Sequence, residues 1–147
     1  METNYQIKKV DSDDLLQKAF KIRREVFIVE QKVEEEEEFD EFEKTSHHFV
    51  ALDDENNPVG ASRWRETSKG IKLERFVVRK DLRGKGVGSD LVKATLDDII
   101  AEKGHGIYLY LHAQLDAVPL YQKFDFQKKG EKFDECNIWH YYMFRES

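Results

Sequence analysis

The residues best suited to chemistry form a short glycine-rich stretch, RGKGVG at positions 83–88, which we call the glycine loop. Alternate glycines remove every second Cβ, so a ligand can lie directly against the backbone. Arg83 and Lys85 add two cations beside amides that would stand at the positive end of a helix dipole. Together these features predict a pyrophosphate-binding site.

Two other classes of glycine-rich nucleotide site fit this stretch poorly. A P-loop requires Ser or Thr after Gly-Lys, whereas Gly86 follows Lys85. A dinucleotide fingerprint lies early in a βαβ unit and has an acidic residue about 20 residues later. Here the glycines lie past mid-chain, and Asp97 and Asp98 come too soon. A glycine-rich helix entry without a ligand is the remaining alternative, and the cations on either side of Gly84 count against it.

The segments around the glycine loop predict a strand, a helix and a second strand. Residues 73–78 are apolar and partly β-branched, as in a buried strand, and apolar residues recur at helical spacing from Val87 to Ile100. The helical pattern ends near Lys103-Gly104, and residues 107–111 form another apolar run typical of a buried strand.

A second motif follows that strand, and the two motifs together resemble the GCN5-related N-acetyltransferase (GNAT) superfamily. Arg83-x-x-Gly86-x-Gly88 is similar to the acetyl-CoA signature of that superfamily. Its downstream pattern of Asn, Ala, Tyr, a basic residue and Gly-Phe is matched by Gln114, Ala117, Tyr121, Lys123 and Phe126. Gln114 stands for the usual Asn and Asp125 for the usual Gly, but Asp tolerates a left-handed turn better than most residues.

Further segments resemble one branch of the superfamily, the ElaA/YjcF-like proteins. They are residues 26–31, Phe39-Asp40, His48, residues 111–114 and Trp139-His140. The resemblance therefore spans nearly the whole chain. It implies an α/β, or α+β, GNAT fold: a mixed, mostly antiparallel sheet of six or seven strands, splayed in the middle, with helices on both faces.

The resemblance implies acetyl-CoA as the cofactor and a set of residues that hold it. The amides of residues 84–88 would bind the pyrophosphate, and the Val78 main chain would pair with the pantetheine arm. The full expected set is Phe76, Val77, Val78, Arg83, Gly84, Lys85, Gly86, Val87, Gly88, Gln114 and Lys123.

Acetyl transfer to an amine requires a neutral nucleophile, a polarised carbonyl and a protonated leaving thiolate. The resemblance places Tyr121 near the sulfur as the general acid, and the Val78 N–H would polarise the carbonyl. Glu74 is the first candidate for the base, although it could equally be a strand carboxylate paired with Arg75. His112 is the second candidate, because an imidazole can exchange a proton near neutral pH.

Residues 34–43, the acidic segment, contain eight Asp or Glu among ten residues. Such charge density is typical of a solvated loop, but Phe39 and Phe42 suggest a segment that docks. If it docks beside the cofactor, Glu38 and Asp40 would bind the acceptor. Glu30 is a further candidate for binding the acceptor's charge.

Length and composition limit the remaining choices. The 147 residues, with 39% hydrophobic and 37% charged, predict a single domain spanning residues 1–147. A net charge of −6 argues against nucleic acid as a partner, and no apolar run could span a membrane. We expect a cytoplasmic enzyme that acetylates the primary amine of a small molecule or peptide. Because Cys136 is the only cysteine and His47-His48 would face opposite sides of a strand, no metal site is expected.

The other segments predict the frame. Residues 5–10 form a strand, and Ser12 caps a helix that should pack on the sheet through Leu16, Phe20 and Phe27. Residues 48–65 form a hairpin. Residues 126–133 and 137–144 form a closing pair joined through 130–135, with an edge that could support a homodimer. The alternative function is a non-catalytic acyl-CoA sensor or partner module, with the Asp125 departure as a trace of lost chemistry.

Overall fold

Strands and helices follow each other through residues 4–147, which are the residues described by the computed structural model of the protein. Two 3₁₀ turns, Lys80–Leu82 and Leu115–Ala117, and a π-helical segment, Arg24–Glu30, accompany the regular elements. Those elements are β1 (Tyr5–Lys9), α1 (Asp13–Arg23), α2 (Glu35–Glu38), β2 (His47–Asp53), β3 (Pro58–Glu66), β4 (Ile71–Val78), α3 (Val87–Lys103), β5 (Tyr108–Gln114), α4 (Val118–Gln122), β6 (Gln127–Glu135) and β7 (Ile138–Glu146).

Within residues 4–147 the seven strands form one sheet in the order β1-β2-β3-β4-β5-β7-β6. Every neighbouring pair is antiparallel except β4 and β5, which are parallel. That parallel pairing holds only at Ile71 with Leu109 and Lys72 with Tyr110. Beyond it the two strands separate and open a cleft in the middle of the sheet. The expected mixed, mostly antiparallel sheet is confirmed.

Helices cover both faces of the sheet, because strand residues alternate between two apolar clusters. On β2, Val50 and Leu52 pack with α1, whereas Phe49 and Ala51 belong to the cluster that includes α3. Among residues 4–147, no helix is both long enough and apolar enough to cross a bilayer.

The buried stripe of α1 differs from the predicted one. It consists of Ala19 and Ile22, continued by Val26, whereas the expected Leu16 and Phe20 are only half-buried. The third expected residue, Phe27, is also half-buried but does pack against this stripe. Leu16 and Phe20 lie one position further round the helix than the buried residues. Phe20 turns instead to Phe39 of the acidic segment, with ring centroids 5.2 Å apart.

Two helices begin or end at the residues that the sequence predicted. Ser12 caps α1, and its Oγ accepts a hydrogen bond from the Leu15 N–H at 3.3 Å. Gly104 ends α3 with a φ of 85°, a backbone conformation that favours glycine.

The closing hairpin is tighter than predicted. Residues 130–135 were expected to connect the two strands, but β6 continues to Glu135 and only Cys136 and Asn137 form the turn. Both turn residues have positive φ, 56° and 63°, as in the two-residue turns that match strand twist. Gly130 lies within β6, where the register between β6 and β7 shifts between Lys129 and Phe133. As a result, Glu135 lies at the end of a strand rather than in a loop.

Candidate active site

The glycine loop leads directly into α3. Gly86 is the N-cap residue, with a φ of 95° and no side-chain hydrogen bond to the first turn. The amides of that turn lack intrahelical partners and therefore remain available to an anion. At Gly84, which also has positive φ, an added Cβ would find no heavy atom within 4 Å. The backbone of the loop is thus open to a phosphate-bearing ligand.

The end of the glycine loop lies between β4 and α4. A Cβ added at Gly88 would lie 3.3 Å from Cδ2 of Leu120 and 3.7 Å from Cγ2 of Val78. Leu120 immediately precedes Tyr121, so the loop, the end of β4 and the predicted general acid meet at one place. Lys85 and Lys123 are both exposed.

The end of β4 presents main-chain groups to the cleft. The Arg79 N–H donates to the Val59 carbonyl of β3 at 2.8 Å. Because successive residues of a strand alternate, the main-chain groups of Val78 face the other way, towards the cleft. The side chain of Phe76 lines the cavity described below, whereas that of Val77 is buried against α1, which leaves only its main chain for a ligand.

Arg83 does not project freely into solvent. Its guanidinium makes two hydrogen bonds of 2.7 and 2.8 Å to Glu30, and its Nε donates to the Val78 carbonyl at 3.0 Å. The hydrogen bond from Arg83 also lowers the pKa of Glu30. Glu30, expected to bind the acceptor's charge, is therefore paired beside the glycine loop and does not line the cavity.

A cavity of about 260 Å³ occupies the cleft. Its walls are formed by residues of the π-helical segment, the acidic segment, β4, β5, α4 and the β6–β7 hairpin. Its lining includes Gln31, Glu74, Phe76, His112, Gln114 and Tyr121.

Tyr121 is held by aromatic neighbours. Its ring lies 5.6 Å from that of Phe76 and 6.2 Å from that of Phe126, both edge-on. Burial raises the pKa of the Tyr121 hydroxyl, which therefore stays protonated at neutral pH and can act only as a neutral donor or acceptor. The turn after α4 is formed normally, because Asp125 adopts a φ of 68° in the left-handed region where the superfamily usually has Gly.

Gln114 joins the two sides of the cleft. Its amide exchanges two hydrogen bonds with Gln31, at 2.9 and 3.2 Å. Gln31 follows the π-helical segment, a rare conformation that is frequent at functional sites. The longer amide that replaces the usual Asn thus reaches a partner on the opposite side.

Glu74 lies in a cage of arginines. Its carboxylate accepts hydrogen bonds from Arg63 at 2.7 Å, Arg65 at 2.8 Å and Arg75 at 3.3 Å. Burial alone would raise the pKa of Glu74, but Arg63 and Arg75 outweigh it and lower the pKa to about 2. A carboxylate so strongly held as an anion is a weak base. The structure therefore favours the alternative interpretation of Glu74 as a paired strand carboxylate.

Part of the acidic segment docks, as its two aromatics indicated: Glu38 is buried and Asp40 half-buried, whereas residues 34–37 are exposed. Asp40 pairs with Arg63 at 2.7 Å and with Arg75 at 3.1 Å, and Glu38 pairs with Arg75 at 2.8 Å. Although burial opposes it, Arg63 lowers the pKa of Asp40 to about 2, whereas burial raises that of Glu38 to about 7. Both residues line the cavity, but their charges face arginines.

Glu135, which carries a charge into the cavity wall, was not identified as a site residue from the sequence. The Oε2 atom of Glu135 lies 2.8 Å from Nδ1 of His112, and both residues line the cavity. The turn signal was present, because Asn137 favours positive φ, and it would have placed Glu135 at a strand end. Among the described residues, no group of three His, Cys, Asp or Glu side chains is arranged to hold a metal.

The fold and the cleft define an acyltransferase domain, and comparison with known families agrees. The family model described as an acetyltransferase (GNAT) domain matches residues 8–147. The chain belongs to this family, and acyl transfer is the general activity that membership supports.

Similarity to individual proteins confirms the branch. Bacillus subtilis YjcF, described as an uncharacterized N-acetyltransferase, is 42% identical over 136 residues, or 92% of this chain and 95% of YjcF. Bacillus subtilis YyaT is 39% identical over 95% of each chain. The crystal structure of Escherichia coli ElaA superposes with a TM-score of 0.83 at 24% identity, covering 98% of this chain and 99% of ElaA. At that identity ElaA shows the shared fold alone.

Proposed function

We propose that this protein is an acetyl-CoA-dependent N-acetyltransferase that acetylates the primary amine of a small molecule or peptide by direct attack in a ternary complex. The observation that supports this most is that Gly88 lies against Val78 and against Leu120, the residue that precedes Tyr121 in α4. Family membership supports the class of reaction, and the geometry supports the assignment of roles below.

The residues around the glycine loop suit the anionic end of acetyl-CoA, whose acetyl thioester is the group transferred. The first-turn amides of α3 would hold the pyrophosphate, with Lys85 as a further cation and Arg83 once it leaves Glu30. The Val78 main chain would bind the pantetheine amides, with Phe76 and Val77 on the same strand. Gln114 and Lys123 would contact the cofactor from the other side of the cleft.

Tyr121 would act as the general acid. When the acceptor nitrogen bonds to the acetyl carbon, the carbon–sulfur bond breaks and the thiolate needs a proton, which the Tyr121 hydroxyl would donate. The Val78 N–H faces the cleft and would polarise the acetyl carbonyl.

The carboxylates on the acceptor side of the cavity are not free to bind a cation. Glu38, Asp40 and Glu74 all face arginines, so their charges are largely balanced. This argues for an acceptor with a single reacting amine over a polycation. Glu38 and Asp40 would position the acceptor by fixing the cavity wall. Cytoplasmic location and a homodimer stay predictions, and the chain's net charge of −6 gives no support for a nucleic-acid partner.

The proposal is tested by thiol release from acetyl-CoA against a panel of amines, amino sugars and peptides, beside calorimetric binding of acetyl-CoA. We expect binding, with turnover on one class of amine. Binding without turnover across the panel would favour the alternative, an acyl-CoA sensor. One argument for the sensor was the Asp125 departure. That argument is weakened, because Asp125 adopts the turn conformation that the Gly usual in the superfamily would provide.

A further inference from the structure

His112 and Glu135 form a carboxylate–imidazole pair on the cavity wall. His112 lies on β5 and Glu135 at the end of β6, and β7 lies between those strands in the sheet. The pair therefore spans a strand, with 2.8 Å between Nδ1 and Oε2. The two side chains are 25% and 39% exposed, which leaves them accessible from the cavity.

The partner of the ring fixes which nitrogen can take up a proton. The hydrogen bond to His112 lowers the pKa of Glu135, so the carboxylate is ionised at neutral pH and can only accept. Nδ1 must then carry the hydrogen, which leaves Nε2 as the basic nitrogen of the neutral ring. In residues 4–147 no hydrogen-bond partner occupies Nε2.

An acceptor amine needs a base that can remove a proton from its nitrogen. A primary alkylamine arrives mostly as ammonium at neutral pH and cannot attack until an N–H bond breaks. Glu74 cannot readily take that proton, because three arginines hold it as an anion.

We propose that His112 is the general base of the reaction and that Glu135 is its positioning residue. This inference rests on the proposed N-acetyltransferase function. One proton of the acceptor ammonium moves to Nε2 of His112, and the imidazolium later releases it to water. The freed lone pair attacks the acetyl carbon and the carbon–sulfur bond breaks. The second proton that the nitrogen then loses replaces the one that Tyr121 gives to the thiolate. Glu135 keeps Nδ1 protonated and steadies the imidazolium as it forms.

Aromatic rings fix the position of the imidazole. Phe133 lies edge-on at 5.2 Å between centroids, Tyr142 at 5.8 Å and Tyr110 at 6.3 Å. The other charged or titratable groups that act on the pair come from neighbouring strands and from the β6–β7 turn. They are Lys72 of β4 and His140 of β7, whose charges act on Glu135, and Cys136, on whose pKa Glu135 acts in turn.

His140 is the rival base, since it lines the same cavity. Its Nδ1 lies 2.7 Å from the Ile138 carbonyl oxygen, so no carboxylate stabilises its charged form in the same way. It is also more deeply buried, with 7% of its surface exposed. These differences favour His112.

The test compares wild type with His112→Gln, Glu135→Gln and the control Glu131→Gln, an exposed carboxylate on the same strand. The probe pair is acetyl-CoA with the panel amine that gives the highest thiol release. Measured quantities are kcat against pH, the calorimetric Kd for acetyl-CoA, and the ¹⁵N shifts of the His112 ring. The Kd reports whether each variant is folded.

We expect His112→Gln to lower kcat about 100-fold and Glu135→Gln about 10-fold, with the Kd for acetyl-CoA and the Glu131→Gln variant unchanged. The ¹⁵N shifts should show a proton on Nδ1 and none on Nε2 in the neutral ring.

Turnover by His112→Gln at the wild-type rate would overturn the base role and leave the proposed function standing. A wild-type ring protonated on Nε2, or a Glu135→Gln enzyme as fast as wild type, would overturn the positioning role. A wild-type protein that binds acetyl-CoA but acetylates no amine would remove the proposed function and this inference with it.

Discussion

The two sides of the cleft are built from different parts of the chain. The cofactor side, formed by the glycine loop and the end of β4, uses main-chain groups from one stretch of sequence and is open at Gly84. The acceptor side uses side chains from the acidic segment, β3, β4, β5 and β6, locked in ion pairs around Arg63 and Arg75. A backbone site can be shared by many relatives, whereas a side-chain site can differ in each.

This difference predicts where substitutions act. Changes on the cofactor side should alter acetyl-CoA binding with little loss of stability. Changes to the ion-pair cluster should first alter the stability of the fold.

The largest effect is expected from Gly86→Val. A β-branched residue at a φ of 95° is strained, so it should distort the backbone that presents the first-turn amides. We expect the calorimetric Kd for acetyl-CoA to rise by about 100-fold or more. Gly104→Val is the matched control, with similar strain at a φ of 85° at the other end of α3, and it should bind normally. Equal losses in the two variants would attribute the effect to strain alone.

Tyr121→Phe should separate chemistry from binding. Removing the hydroxyl leaves the ring packed on Phe76 and Phe126, so acetyl-CoA KM should stay within about 2-fold. Steady-state kinetics should show kcat about 100-fold lower, because the leaving thiolate loses its acid. Tyr141→Phe, a half-buried tyrosine packed on the same core, is the control. An unchanged kcat in Tyr121→Phe would rule out the acid role.

On the acceptor side, Glu74→Gln should reduce the free energy of unfolding by about 3 kcal/mol at pH 7, because it leaves buried Arg63 short of an anion. The pKa of Glu74 is lowered to about 2 in the fold, so its contribution is present above its unfolded value. Wild type should therefore lose this stability as pH falls from about 5 towards 2. Glu74→Gln should show a flatter dependence in urea unfolding at each pH.

The exposed Glu66→Gln variant, which loses only a pair with Lys103, is the control and should unfold like wild type. The raised pKa of Glu38 acts in the opposite sense, since its contribution declines as pH rises through about 7. A Glu74→Gln protein as stable and as pH-dependent as wild type would show that the cluster does not lock the acceptor side.

The smallest effect concerns Glu30→Gln. Breaking the exposed pair frees Arg83 for the pyrophosphate, so acetyl-CoA affinity should rise about 3-fold by calorimetry. Glu25→Gln, on the same π-helical segment, is the control. Weaker binding in Glu30→Gln would mean that Glu30 holds Arg83 in its productive position.

The cofactor side could be predicted because its motifs are local. Gly86 and Tyr121 belong to short patterns with fixed spacing, and the helix after the loop has clear apolar periodicity. The arginines around Glu74 could not be predicted in this way. Arg63 and Arg65 lie on another strand, and their contact with Glu74 depends on the register between the two strands. Glu135 was missed for a different reason. The two-residue turn at Cys136-Asn137 was taken for a longer connection, so Glu135 was not expected at a strand end.

The acidic segment shows the limit of composition. Its density of carboxylates indicated solvent or an acceptor site, yet the structure pairs Glu38 and Asp40 with arginines from distant positions. Charge counts along a sequence carry no information about which opposite charges the fold brings near. Phe39, which packs on Phe20, was the better signal of docking.

The most direct test of the central claim is mass spectrometry of the acceptor after incubation with acetyl-CoA, for wild type beside Gly86→Val and Tyr121→Phe. We predict that one panel amine gains a single acetyl group on nitrogen with wild type, in step with thiol release, and far more slowly with either variant. Tight acetyl-CoA binding by wild type with no acetylated amine in the whole panel would contradict it.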